Sequence, residues 1–112
     1  MIPSAVRNTN PTLLVIRAYL SDTIYFDYNA MGNYLERASK YLEDPRADKR
    51  LLGAFASVHS CHSVQTNDLP NAWKYAEQAL KTLLPDQAML FDYALNYKVM
   101  AAFPSLLAAM TL

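Results

Sequence analysis

Asn71-Ala72-Trp73-Lys74-Tyr75-Ala76-Glu77-Gln78-Ala79-Leu80 restates a pattern met about forty-two positions earlier, at Asn29-Ala30-Met31-Gly32-Asn33-Tyr34-Leu35-Glu36-Arg37-Ala38. Both stretches open on Asn-Ala, carry an aromatic and set a small residue before a leucine-containing turn. Each then runs into a proline, at Asp44-Pro45 and at Leu84-Pro85. A period near forty, with small residues at helical spacing and a closing proline, marks helix pairs that cannot bury an apolar face alone and therefore stack into a solenoid.

Working outward, the second stretch predicts a helix over about Pro70 to Leu83, with Ala72, Trp73, Ala76, Ala79, Leu80 and Leu83 inward and Lys74, Glu77, Gln78 and Lys81 toward water. The turn before it, Asn67-Asp68-Leu69-Pro70-Asn71, combines side chains that bond their own backbone with a proline that blocks continuation. Upstream, a helix opens around Arg46 to Asp48 and carries Leu51, Leu52, Phe55, Val58, His59 and His62. The first stretch predicts a helix from about Tyr28 to Leu42 with Ala30, Tyr34, Ala38, Tyr41 and Leu42 on one stripe. Asn10-Pro11-Thr12 starts a further helix, a capping side chain before a proline that needs no amide hydrogen there; it reaches about Thr23 or Phe26. A fifth helix, about Asp86 to Phe103, is apolar all round and so must be covered all round.

The 112 residues make one domain, 1–112, with an extended lead-in over 1–10 and an apolar C-terminal segment over 104–112. Hydrophobic residues reach 53% while glycine numbers two, which favours packed helices over a turn-rich sheet or a disordered chain. Formal charge is zero, so no overall field draws in nucleic acid or an anionic membrane. Cys61 is the one cysteine, which excludes an internal disulfide and fits a reducing, cytoplasmic setting. No basic segment followed by an apolar run opens the chain, so no secretory signal is expected. Val99 to Leu112 lacks charge, but Pro104 interrupts it and it falls short of the roughly 20 apolar residues that span a bilayer.

Read across the chain, a set of ordered motifs resembles a known family. Ala72, Ala76 and Ala79 sit at the spacing of the second helix of a tetratricopeptide repeat, and Leu52-Gly53 resembles that family's Leu-Gly pair. Pro11 with Leu14, Ala18 and Tyr19, then Ala30, Leu51-Leu52-Gly53, Asn67 to Ala72, Tyr75 to Leu80, and Leu83-Leu84-Pro85-Asp86 look like the helical sensor arm of large ATP-binding LuxR-type (MalT-like) transcription regulators, over roughly residues 10 to 100. The resemblance implies an all-α, tetratricopeptide-like superhelix of about two and a half helix pairs that binds a protein, a peptide or a small-molecule inducer. Members of that class add an ATPase module and a helix-turn-helix module. This chain has neither a Gly-rich phosphate loop nor a basic recognition helix, so no cofactor and no direct nucleic-acid binding are carried over. In such arrays the first helix of each pair lines the concave surface. Aligned on Leu52-Gly53, that rule places Arg50, Ala54, Ser57, Val58, Cys61 and Gln65 toward the groove, with Arg17 in a similar part on the first helix.

Other constellations carry less. His59, Cys61 and His62 are residue types that bind zinc, but on a helix Cys61 points away from the line joining the histidines, and no fourth ligand is near. The default is a pair of histidines beside Phe55 at the edge of the core, and no metal site. Ser57, Ser60 and Ser63 lack the base, orienting group and strained turn of a serine nucleophile. Glu43 with Asp44, and Asp22 with Asp27, sit where acids cap or solubilise. The expectation is a non-enzymatic binding module, with a rival in which a small helical ligand-binding or metal-dependent enzyme uses His59 and His62. Because the end of an array is normally polar outside, the apolar stretch Met89 to Leu112 marks either an incomplete array or an oligomer interface, and a homo-oligomer formed through it is expected.

Overall fold

Among the described residues, four of the five α-helices begin where an Asn or Asp side chain accepts backbone N–H groups that have no partner within the helix, the ordinary requirement at an N-terminus. The computed structural model describes residues 10–103; the rest of the expected lead-in and the 104–112 segment, with the part of the expected oligomer surface that falls in it, lie outside the described residues. Asn10 Oδ1 accepts from the Thr12 and Leu13 amides at 3.0 and 3.2 Å and opens α1 (Pro11–Thr23). Asp27 accepts from Ala30 N–H at 3.0 Å for α2 (Tyr28–Leu42), and Asp48 from Arg50 N–H at 3.0 Å for α3 (Lys49–Gln65). Asp68 caps α4 (Leu69–Thr82), and a single 3-10 turn, Pro85–Gln87, leads into α5 (Ala88–Ala102). Among the described residues there is no strand, and no helix is long and apolar enough to cross a membrane.

Two connections turn through the left-handed region. Asn67 (φ 61°) closes α3 in a Schellman arrangement, its N–H donating to Val64 O at 3.0 Å and the Asp68 N–H to Ser63 O at 2.7 Å. Asparagine tolerates that geometry; Phe26 (φ 52°), which ends the α1–α2 turn, does not do so readily.

α3 is the hub and packs against α1, α2, α4 and α5; α1 also packs on α2, and α4 on α5. The main core joins Leu14, Val15 and Ala18 of α1, Met31, Leu35 and Ala38 of α2, and Phe55, Val58 and Cys61 of α3. A second cluster, Ala56, Ala79 and Ala94, sits where α3, α4 and α5 meet, all three without exposed surface. Small side chains let the helices approach closely there, and the alanine register Ala72, Ala76, Ala79 is buried as expected. Both glycines are also points of approach. A Cβ on Gly32 would lie 2.7 Å from His62 Nε2, and one on Gly53 would lie 2.9 Å from Leu83 Cδ2 and 3.2 Å from the Leu83 Cα.

Three expected faces are corrected. On α2 the fully buried residues are Met31, Leu35 and Ala38, with Tyr41 exposed, because α2 turns that line toward α1 and α3. Trp73 is 39% exposed, its ring lying under Lys98 Nζ at 4.7 Å instead of entering the core. α5 is not covered all round: only Ala94 is fully buried, while Met89, Phe91, Leu95, Val99 and Phe103 are exposed.

Candidate functional site

The residues expected to line an open groove on α3 divide three ways. Ser57, Val58 and Cys61 are buried, Ala54 is half-buried, and Arg50 and Gln65 are exposed. The correction has a definite cause. α1 and α5 lean toward each other across the inner side of α3, and tyrosines fill the space between them. Tyr19 of α1 and Tyr93 of α5 stand with ring centroids 5.4 Å apart, and Tyr93 meets Tyr97 edge-on at 4.9 Å. Tyr93 Oη donates to Asp22 Oδ2 at 2.6 Å, and Ser57 Oγ donates to Leu90 O at 2.9 Å. The floor of the expected groove thus lies beneath a polar plug.

The chemistry of the plug is structural. Burial pushes the Cys61 thiol up to about 12, with hydrogen bonding to the Tyr93 and Tyr97 hydroxyls pulling the other way. A thiol in that range carries almost no thiolate at neutral pH. Burial likewise raises Tyr93 and Tyr97, and raises Tyr28, which Asp22 and Cys61 also push up. All stay protonated as donors. Asp22, read from sequence as a capping or solubilising acid, is 7% exposed and is the acceptor at the centre of the plug. Sequence reasoning missed this because Asp22 and Tyr93 come from helices 71 positions apart, with no local spacing to announce them.

Arg50 spans the junction of α3 with the 3-10 turn. Its Nη1 donates to Asp86 Oδ2 at 2.8 Å, and its carbonyl accepts from Gln87 Nε2 at 3.1 Å, while Gln87 Oε1 accepts the Leu84 N–H. Each partner holds the other's charged form: Arg50 is raised by Asp86, and Asp86 is lowered by Arg50. The histidines are engaged as well. His59 stacks on Tyr75 at 3.8 Å and meets Phe55 edge-on at 5.4 Å, with Nδ1 3.3 Å from Ser63 Oγ, and His62 fills the space over Gly32. Burial lowers both histidines below their ordinary value. Among the described residues no group of three or more His, Cys, Asp or Glu side chains is placed to hold a metal ion.

Arg17 has a different setting. It lines a cleft of about 350 Å³ between α1 and α2, together with Leu20, Ser21, Tyr25, Asp27, Ala30 and Tyr34. Beside it the α1–α2 turn lifts Ile24, Tyr25 and Phe26 into solvent, at 57%, 71% and 69% exposure. Three consecutive large apolar side chains on a turn, held there by a left-handed Phe26, form a surface that water alone does not favour. Cleft and turn together bring Arg17, Tyr25, Tyr34 and the apolar side chains of the turn to one side of the α1–α2 hairpin. No family model, curated protein or solved structure matches the chain.

Proposed function

We propose that the chain is a non-enzymatic, tetratricopeptide-like helical module, similar to part of the sensor arm of a LuxR-type transcription regulator, that binds a protein or peptide segment in the α1–α2 cleft. The order of helix packing supports the repeat reading: each helix touches its successor, and α3 touches both α1 and α5, as first helices do in stacked pairs. The observation that carries the binding reading is the cleft holding Arg17, Tyr25 and Tyr34 beside the exposed Ile24-Tyr25-Phe26 turn. Arg17 stays in the proposed site. Ser57, Val58 and Cys61 leave it because the tyrosine plug covers them, and Arg50, Ala54 and Gln65 belong to other parts of α3. The buried, unpaired Cys61 supports a reducing, cytoplasmic setting for this activity.

Selection of a displayed random-peptide library against the chain, followed by calorimetry with the enriched synthetic peptide, tests the proposal. Binding that is weakened at least about tenfold, or 1.4 kcal/mol, by Arg17→Glu and by Tyr34→Ala is expected. No enrichment, or affinity indifferent to both substitutions, overturns it. Saturable binding of a small molecule in place of any peptide would assign the cleft to an inducer instead.

A further inference from the structure

Counted from their first helical residues, Pro11, Lys49 and Ala88, the helices α1, α3 and α5 can be laid over one another. The fourth and eighth positions of each lie on one line, because four residues make a full turn with about 40° to spare. On α1 these are Leu14 and Ala18, buried in the main core with Met31, Leu35 and Ala38 of α2. On α3 they are Leu52, half-buried, and Ala56, which sits with Ala79 of α4 in the second cluster. In both pairs the covering helix is the next one in the chain, brought back by the short turn 24–27 or 66–68. On α5 the same positions are Phe91 and Leu95, at 40% and 44% exposure, and the line runs on through Val99 at 40% to Phe103 at 56%. Among the described residues α5 has no following helix, and it carries larger apolar side chains on this line than α3 does.

We infer that residues 104–112 are the cover: the chain turns after Phe103 and lays Leu106, Leu107 and Met110 against Phe103, Val99 and Leu95, as α2 lies on α1 and α4 on α3. Three properties of the segment select it. It follows α5 directly, so no long connection is needed to bring it there. Its first residue, Pro104, stops α5 and suits the first turn of a further helix, as Pro11 and Pro70 suit those of α1 and α4. It carries no charge, and Leu106, Leu107 and Met110 are spaced for one helical face. In helical form nine residues reach about 13 Å, close to the rise from Phe103 back to Leu95. Phe91, with the pit that it lines beside Leu83, Leu84 and Pro85, lies beyond that reach. The inference rests on the stacked-pair reading given above but not on the peptide cleft, so a covered α5 and a failed peptide selection would separate the two.

Thiol labelling of the full chain tests it, with Val99→Cys and Phe91→Cys read by mass spectrometry. The two side chains are equally exposed, at 40%, on the same line of the same helix. Val99→Cys is expected to label at least about tenfold more slowly than Phe91→Cys at every protein concentration, and joint Leu106→Asp and Leu107→Asp substitution to abolish the difference. The buried Cys61 reports the fold by staying unlabelled in each variant. A second reading needs no disruptive change: a chain carrying Val99→Cys with Leu106→Cys or with Leu107→Cys is expected to close an intrachain disulfide under mild oxidation. Equal labelling of Val99→Cys and Phe91→Cys overturns the inference. So does protection of Val99→Cys that fades on dilution, which would assign the cover to a second copy, and so do disulfides that form only between chains.

Discussion

Tyr93 Oη donates a 2.6 Å hydrogen bond to Asp22 Oδ2, joining α5 to α1 across the inner side of α3. Neither helix packs its backbone on the other, so this contact and the Tyr19–Tyr93 ring pair are what join the two helices. Removing the hydroxyl leaves a buried carboxylate without that donor, and a hydrogen bond to a charged group contributes about 1.5–3 kcal/mol. Tyr93→Phe is therefore expected to lower the unfolding free energy by about 2 kcal/mol in urea titration, and Asp22→Asn, which keeps an acceptor without the charge, by less. Equal stability of Tyr93→Phe and the parent would show that the bond adds nothing.

Gly32 gives a prediction whose sign depends on a second residue. Glycine in a helix interior is about 1 kcal/mol less favourable than alanine, yet a Cβ here would meet His62 Nε2 at 2.7 Å. Gly32→Ala is expected to destabilise the parent by about 1 kcal/mol, in the range for overpacking. In a His62→Ala background the same change is expected to stabilise by a similar amount. A double-mutant cycle with no coupling would refute the contact.

The two histidines set a pH dependence. Burial disfavours their charged forms, so both sit below the ordinary value of 6.5 in the folded chain, while the unfolded chain titrates near it. The unfolded state then binds more protons below that value, and stability falls as pH drops from 6.5 through the lowered folded values; above 6.5 the contribution is complete. Urea midpoints measured between neutral and mildly acidic pH are expected to fall. Substituting both His59 and His62 by Gln should flatten that slope, and an unchanged slope would assign it to other groups.

Cys61 is expected to resist alkylation by iodoacetamide in the folded chain at mildly alkaline pH and to react promptly in urea. Its thiol is fully buried and pushed up to about 12, so both access and thiolate fraction are low. Native-state labelling as fast as in urea would mean that the tyrosine plug does not form.

Phe26 separates stability from binding. Its left-handed φ of 52° costs about 1–2 kcal/mol for a residue with a Cβ, and its ring is largely in water. Phe26→Gly relieves that strain and gives back part of the gain through a more flexible unfolded chain. The thermal midpoint is expected to hold or rise while affinity for a selected peptide falls. A drop of more than about 1 kcal/mol would instead show the ring packing on its own fold.

Among the described residues, the order of helices and turns and the cap at Asn10 were legible in the residues because such features are local. Asn10, Asp27, Asp48 and Asp68 meet amides two or three positions on, and Pro11, Pro45, Pro70 and Pro85 interrupt or start helices wherever the rest of the chain lies. The alanine register of α4 was legible for the same reason, since side-chain size at helical spacing bounds how near a neighbour can come. The inward side of α2 was misjudged because its apolar face is wide enough for several lines, and which of them turns inward depends on where α1 and α3 stand.

The amino-acid order by itself determined the succession of five helices found among the described residues, with the turns between them. Only the tertiary structure decided that Ser57, Val58 and Cys61 are interior, that Asp22 is a buried acceptor, and that α5 keeps an open stripe. The difference is one of range. A cap or a proline acts over a few bonds along the chain, whereas the burial of a side chain is set by helices that meet it from tens of residues away.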